Sequence, residues 1–385
     1  MNNEKMTPRE RLTAAFNHQE VDRIPVMPSL IRWIRGVHGC ACELHQLKVC
    51  EEFGFDPMIM FGLYLNTPIA SDYVYRPDNS YRDLPDVKID MRVENYSDRT
   101  VHIRRFETPD GVLADRITWC RPNMGYGDGP NPHHDEPLVK SLADIPALKY
   151  LYAKPKKFFV DDLRLFKESI GNRGVVEFLE ASNSGSWGME SLGPENMLMC
   201  AVSDKQLLQA VIRVAHDVHL DNLRTVLESG HKNIVTSWFQ CGPSVGWSPE
   251  NFKEFFLPLI REDVALVHRY DGIYRYQDDG KMADLIPVLA EIGVDIVSGL
   301  QPPPVGDCVF SEIKNKWGDK LCLMGALDPI YTFEFGTPES VHNAVRHLLE
   351  HVNNRYGIII GTAEAFGPET PVACLHALSH AVRKL

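Results

Sequence analysis

The chain has 385 residues, a net charge of −12 and nine cysteines, none of them in a Cys-x-x-Cys pair. The acidic balance argues against nucleic acid or an anionic membrane as a partner. No apolar run approaches the roughly 20 residues of a membrane span, and isolated thiols suit a reducing cytoplasm. Because the length allows one large domain or two of ordinary size, composition predicts a cytoplasmic α/β protein.

The first third of the chain contains both helix signals and a two-residue alternation that is typical of strands. Thr7-Pro8-Arg9-Glu10 predicts the capped start of a helix, and buried strands are expected near residues 24 and 56. From about 72–120, apolar and polar residues alternate with period two around a Thr-Pro-Asp-Gly turn, which predicts an inserted antiparallel meander. Residues 121–137 are rich in Gly and Pro and predict a loop. The loop's His133-His134 pair is read either as part of a lid over the site or as a solvated surface.

The rest of the chain alternates strands with helices. The stretch 272–304 reads as a complete strand–helix–strand unit, and further strands are expected near residues 174, 233, 321 and 356. Counting its two strands, near 273 and 294, and the two N-terminal ones gives eight parallel strands. This number predicts one (β/α)8 barrel domain over residues 1–385, carrying the β insertion and the loop. A doubly wound open sheet is the alternative, but no Gly-x-Gly-x-x-Gly follows the first strand.

Polar residues that follow the strands should converge on one end of such a barrel. The residues at the carboxyl ends of the predicted strands are Glu180, Trp238, Gln240, Gln277, Asp279, Gln301, Asp328 and Glu364. Several carboxylates in one cleft cannot all stay ionised cheaply, so either a metal neutralises them or some are protonated general acids. Asp279 and Glu364 are the predicted catalytic pair. Gln240, Gln277 and Gln301 are predicted to bind substrate. Trp238 is assigned to ring stacking, with a core position as the alternative.

Several stretches, in order, resemble the uroporphyrinogen decarboxylase superfamily. They include TPRERLTAAFNHQEVDRIPV, WSPENFKEFFLP, QDDGKMADLIPVLAEIGVDIVSGLQP and GDKLCLMGALD. The resemblance spans nearly the whole chain and implies a (β/α)8 barrel. It also implies one of two activities, because the superfamily contains tetrapyrrole decarboxylases and corrinoid-dependent methyltransferases.

Three motif comparisons narrow the reaction that the resemblance implies. The Arg-Gln-Ala-Gly-Arg segment of the decarboxylases is replaced by residues 29–35, in which Arg32 and Arg35 have altered spacing. The cysteine zinc ligands of the thiol-methylating branch are absent at the matching positions. The spacing Glu180–Glu195–His216 is similar to the Glu-x14-Glu-x20-His zinc motif of aryl methyl ether O-demethylases. His216 lies far along a predicted helix, so Glu180, Asp279 and Glu364 form the alternative ligand set.

The resemblance therefore implies a methyltransferase that demethylates a methoxylated aromatic compound. The methyl group would pass to the cob(I)alamin of a separate corrinoid protein, since the chain has no Asp-x-His-x-x-Gly cobalamin motif. Zinc is the expected metal cofactor, and a homodimer is left open. The rival hypotheses are a tetrapyrrole decarboxylase and a non-catalytic barrel that docks a corrinoid protein.

Overall fold

A computed structural model describes residues 5–39, 43–62, 84, 86–121, 124, 132–152, 158–180, 183–238 and 241–385. Within this part the chain is an α/β protein with two sheets, one parallel and seven-stranded and one antiparallel and four-stranded. The strands of the parallel sheet are β1 (Met58–Gly62), β6 (Val175–Glu180), β7 (Asn233–Ser237), β8 (Ile273–Gln277), β9 (Ile296–Ser298), β10 (Cys322–Leu327) and β11 (Ile358–Thr362).

The parallel strands are hydrogen-bonded in their order along the chain, from β1 to β11. All seven lie where the sequence predicted strands. Most of the residues in β7, β8 and β11 are buried, as expected for parallel strands with both faces covered. Helices of the described chain cover the outside of the sheet. They are α1 (Pro8–Phe16), α2 (Ile31–His38), α3 (Glu43–Phe53), α4 (Ile145–Leu151), α5 (Phe158–Ile170), α6 (Ser184–Leu192), α7 (Pro194–Ser203), α8 (Lys205–Glu228), α9 (Pro249–Phe255), α10 (Leu257–Arg269), α11 (Ile286–Ile292), α12 (Phe310–Trp317), α13 (Pro338–Leu349) and α14 (Val372–Arg383).

The strand predicted near residue 24 is reduced to an isolated parallel bridge between Val26 and Ile360. Pro25 and Pro28 have no N–H group, so this segment cannot form a regular ladder of hydrogen bonds. The Met27 N–H donates to Ile360, and on the other side the Asp56 N–H donates to Val26. The segment therefore lies between the last strand of the sheet and the residues that precede the first.

A buried ion cluster holds this segment in place. The carboxylate of Asp56 accepts from Arg11 Nη1 at 2.5 Å, from Arg23 Nη1 at 2.6 Å and from the Val26 N–H at 2.9 Å. Arg11 and Asp56 are both fully buried. Because a buried carboxylate is stable only when it is paired and hydrogen-bonded, these contacts fix residues 23–26 against the start of β1.

The antiparallel sheet confirms the predicted meander and extends it. Its strands are β2 (Lys88–Asn95), β3 (Arg99–Thr108), β4 (Gly111–Cys120) and β5 (His133–Glu136). The Thr-Pro-Asp-Gly turn joins β3 to β4, where the Thr108 hydroxyl donates to the Gly111 carbonyl. The sequence predicted a loop at His133 and His134, but both belong to β5 and pair with β4. Residues 72–83 and 85 of the predicted insertion, and 122–123 and 125–131 of the predicted loop, lie outside the described residues.

Candidate functional site

A cavity of about 320 Å³ opens at the carboxyl ends of the parallel strands. This is near the lower end of the range for small-molecule pockets, roughly 300–1,000 Å³. It is lined by Met27, Pro28, Ser29, Met58, Met60, Arg275, Gln277, Asp278, Asp279, Ser298, Gly299, Met324, Thr362, Ala363 and Glu364. Strands β1, β8, β9, β10 and β11 all contribute to its wall, so the sheet brings together residues that are far apart in the sequence.

Asp279 and Glu364 meet at this cavity, and their carboxyl groups are hydrogen-bonded. Burial, the charge of Glu364 and the charge of Asp278 together raise the pKa of Asp279 to about 7. Two adjacent carboxyl groups in a partly desolvated site share one proton, because ionising both places like charges together. Asp279 therefore still carries its proton for about half of the time at pH 7, and in that form it can donate to Glu364.

Asp278 is a third acid at the cavity, which the sequence reading did not select. Its side chain is almost fully buried, accepting from the Tyr276 hydroxyl at 2.7 Å and from the Asp279 N–H at 2.8 Å. Burial raises the pKa of Asp278 to about 6, although both hydrogen bonds act in the opposite direction. Its position next to Asp279 at the end of a buried strand was the available signal.

The one basic residue among the described residues that line the cavity is Arg275 of β8. Its guanidinium forms a two-point ion pair with Glu177, with distances of 2.8 and 2.6 Å, and it also donates to Ser298. Arg275 and Glu177 are both buried. Since the charge of Arg275 is neutralised by Glu177, no cation among the described lining residues is left to pair with Asp278, Asp279 and Glu364. A charged residue inside an otherwise apolar strand was the sequence signal for Arg275.

Four methionines supply the apolar part of the wall: Met27, Met58, Met60 and Met324. Methionine is flexible and polarizable, and its sulfur contacts aromatic rings favourably. The cavity thus combines an adaptable apolar side with an acidic side that holds a proton. Such a combination suits a small, largely apolar ligand that has an oxygen atom to protonate.

The predicted substrate-binding residues are only partly brought together. Gln277 lines the cavity and accepts from Arg275 at 3.3 Å. Gln301 is buried behind the cavity wall, where its amide donates to Asp328. Trp238 does not line this cavity, is fully buried and donates its indole N–H to the Tyr274 hydroxyl at 3.0 Å, which favours the core position given as the alternative. Gln240 lies outside the described residues.

The predicted zinc ligands Glu195 and His216 lie in different surroundings in the described part of the chain. Glu195 is exposed in the first turn of α7, whereas His216 is fully buried on α8. His216 instead forms a group with His219 and Asp263, whose potential ligand atoms lie within 4.8 Å of one another. Burial lowers the pKa of His216 to about 3, so its ring is neutral at pH 7. Glu180 ends β6, and its side chain is outside the described part.

The chain belongs to the uroporphyrinogen decarboxylase family. Residues 120–385, more than half of the sequence, match the family profile described as uroporphyrinogen decarboxylase (URO-D). The resemblance inferred from the sequence motifs is thereby confirmed at the level of the family.

The curated proteins that are similar in sequence to this chain include two kinds of enzyme. Uroporphyrinogen decarboxylase of Pseudoalteromonas translucida is 24% identical over 291 residues, covering 69% of this chain and 76% of the relative. Methylated-thiol–coenzyme M methyltransferase of Methanosarcina mazei is 24% identical over 279 residues, covering 71% of this chain and 69% of the relative. The fold is similar to that of a solved methyltransferase from Methanosarcina mazei, with a TM-score of 0.61, 14% identity and 99% of each chain covered.

The described part of the chain contains no helix that is both long and apolar enough to cross a membrane.

Proposed function

We propose that this protein is a methyltransferase that demethylates a small methoxylated aromatic compound and passes the methyl group to a corrinoid carried by a separate protein. The observation that carries the proposal is the pair of neighbouring carboxyl groups, Asp279 and Glu364, at a cavity lined by four methionines, with the raised pKa of Asp279 in support. Family membership and the methyltransferase relative support the reaction class. The aromatic ether itself rests on the motif resemblance and on the sulfur-rich wall.

The proposed role of Asp279 is general acid. Breaking the bond between the methyl carbon and the ether oxygen leaves a phenolate, whose negative charge makes it a poor leaving group. A proton from Asp279 to that oxygen lowers the barrier as the bond breaks, and Glu364 keeps the proton available near pH 7. Asp278 fixes the position of Asp279 by accepting from its N–H. The methionines would contact the ring and exclude water.

The corrinoid supplies the nucleophile that takes the methyl group, and we assign it to a partner protein. A cavity of about 320 Å³ suits the small ether and not a resident macrocycle. We also propose that the parallel sheet closes into a (β/α)8 barrel, with residues 25–27 as its eighth strand. The cavity would then open at the mouth of the barrel, where a corrinoid domain can approach.

No step of this proposal passes through zinc at Glu180, Glu195 and His216, because Glu195 is exposed and His216 is fully buried. A divalent cation on Glu180, Asp279 and Glu364 is the alternative source of charge stabilisation. Such a cation would require both carboxyl groups of the pair to be ionised, whereas burial favours a shared proton.

The decarboxylase hypothesis has less support at this cavity. A tetrapyrrole with several carboxylates needs several free cations. Among the described residues that line the cavity, Arg275 is already paired with Glu177. Arg32 and Arg35, which stand where the decarboxylase motif has arginines, are exposed on α2.

The test is anaerobic methyl transfer from a panel of methoxylated aromatics to cob(I)alamin, with and without a corrinoid protein. Methylcobalamin would be followed by its visible spectrum and the phenol by chromatography. We expect Asp279→Asn to lower kcat by about 10²- to 10⁴-fold, the usual contribution of a general acid. The matched control is Asp284→Asn, which changes an exposed carboxylate outside the cavity and should keep full activity.

Three outcomes would contradict the proposal or its mechanism. If no ether transfers its methyl group while a porphyrinogen is decarboxylated, the decarboxylase hypothesis replaces it. If neither reaction occurs, the non-catalytic docking protein becomes the better hypothesis. If methyl transfer is unaffected by Asp279→Asn but abolished by chelation, a metal at the carboxyl ends of the strands, and not the proton of Asp279, stabilises the leaving oxygen.

A further inference from the structure

A second group of polar side chains lies between helices α8 and α10. His216 and His219 are three residues apart on α8 and therefore share one face of the helix. They point toward Asp263 of α10, and all three residues are fully buried. None of the three lines the cavity at the strand ends. Glu262, the neighbour of Asp263, lies at the edge of this group with its side chain 43% exposed.

The donor atoms have the spacing of a metal coordination shell. A tetrahedral zinc ion with bonds of about 2.0–2.1 Å places its ligand atoms about 3.3–3.4 Å apart. Here His219 Nε2 is 2.9 Å from Asp263 Oδ1, and His216 Nε2 is 3.9 Å from the same oxygen. Glu262 Oε2 is 3.4 Å from His216 Nε2. These distances bracket the value expected for four ligands around one ion.

Two members of the group, His216 and Asp263, have buried polar atoms without a hydrogen-bond partner in the described part of the chain. Neither ring nitrogen of His216 has a hydrogen-bond partner in the described part of the chain. Asp263 Oδ1 likewise accepts no hydrogen bond, although His219 Nε2 is only 2.9 Å away. A buried polar atom without a partner is costly, by about 1–3 kcal/mol in typical proteins. A bound metal ion would give these atoms the partner that they lack.

The outer contacts of the group also match a metal site. The second oxygen of Asp263 accepts from the Tyr274 hydroxyl at 3.2 Å, and Trp238 donates to that hydroxyl in turn. Arg213 donates to both oxygens of Glu262, at 2.9 and 3.0 Å. Ligating carboxylates are usually held by such outer hydrogen bonds, which orient them toward the metal.

We propose that His216, His219 and Asp263, with Glu262 as the fourth ligand, bind a structural zinc ion. Two imidazoles and two carboxylates are a donor set that suits zinc, and four protein ligands leave no position open for chemistry. The ion would join α8 to α10 and, through Asp263, Tyr274 and Trp238, to strands β7 and β8. This site gives His216 a role as a ligand without Glu195. The proposal does not depend on the proposed methyl transfer.

The experiment measures metal binding by the purified full-length protein. We expect about one zinc per chain by elemental analysis. After removal with a chelator, added Co²⁺ should give the visible bands of a tetrahedral N/O site, and zinc should displace it. His216→Gln and His219→Gln should each weaken zinc binding by about 100-fold or more, since loss of a ligand exceeds the loss of an outer contact.

Two controls separate this site from other histidines and from the mouth of the sheet. His231→Gln replaces another buried histidine outside the group and should keep the zinc. Asp279→Asn changes the cavity at the strand ends, and this variant should also keep the zinc. If the ligand variants fail to fold, Glu262→Gln still tests the site, because the side chain of Glu262 is partly exposed. This substitution should weaken zinc binding about tenfold.

The proposal is overturned if the folded wild-type protein binds neither zinc nor Co²⁺, or if zinc remains in His216→Gln and is lost in Asp279→Asn. A melting temperature of the chelator-treated wild type that does not rise with added zinc would also contradict a structural role. These readouts need no substrate, so they are independent of whether methyl transfer is observed.

Discussion

At the scale of single residues, the raised pKa of Asp279 links activity to stability. In the folded protein this group keeps its proton up to about pH 7, whereas in the unfolded chain its pKa is near 3.9. The stability that the group contributes is therefore complete below about pH 4 and is lost as the pH rises through about 7. The same proton is the one proposed to reach the leaving oxygen.

The wild-type rate of methyl transfer should therefore fall above about pH 7, as Asp279 ionises. Asp279→Asn should lose activity at every pH yet gain about 1–3 kcal/mol of unfolding free energy at pH 8 relative to the wild type, because no buried charge has to form. Urea unfolding at pH 5 and pH 8 measures the difference. A variant that is less stable than the wild type at pH 8 would show that the ionised carboxylate is stabilised by an unrecognised cation.

At the scale of elements, the end of β9 depends on one glycine. Gly299 has φ +88°, and a Cβ atom there would lie 1.5 Å from the carbonyl oxygen of Asp278. Only a residue without a side chain lets β9 pass this close to the backbone of Asp278 and Asp279. The position of the acid pair is therefore set partly by the strand beside it.

Gly299→Ala should displace that backbone, lower kcat and cost more than 2 kcal/mol of stability, by about the sum of overpacking and backbone strain. Gly230→Ala is the matched control, because its φ is +85° and no atom lies within 4 Å of the added Cβ. It should cost only about 1–2 kcal/mol and leave activity unchanged. Equal effects of the two substitutions would mean that the close approach at Gly299 does not matter.

The order of the elements could be read from the sequence because its signals are local. The capping box of Thr7 and Glu10 and the Ser248 cap that precedes α9 are present as predicted. Asp279 and Glu364 could be selected because each directly follows a buried strand. His216 and Trp238 could not be assigned, since their surroundings depend on how α8 and β7 pack against Asp263 and Tyr274, which are distant in the sequence.

At the scale of the whole molecule, the ion cluster around Asp56 joins the first segment to the sheet. Asp56→Ala would leave Arg11 and Arg23 without a shared carboxylate in a buried position. We expect a loss of about 3–5 kcal/mol of unfolding free energy, the usual cost of breaking a buried ion pair. Glu168→Ala removes an exposed pair with Arg164 and should cost no more than about 1 kcal/mol in the same urea titration.

The bridge between Val26 and Ile360 also has a consequence for synthesis of the chain. Nearby, the Ser29 N–H donates to the Thr362 hydroxyl, a contact that spans 333 residues. At ribosomal rates of about 5–20 residues per second, Ser29 would be made roughly 15–70 seconds before Thr362. Trp33 of α2 is buried in the folded protein, and its indole N–H donates to the Thr370 carbonyl, a partner that is made later still. The packing of α2 is therefore completed only after the last strand of the sheet has been synthesised.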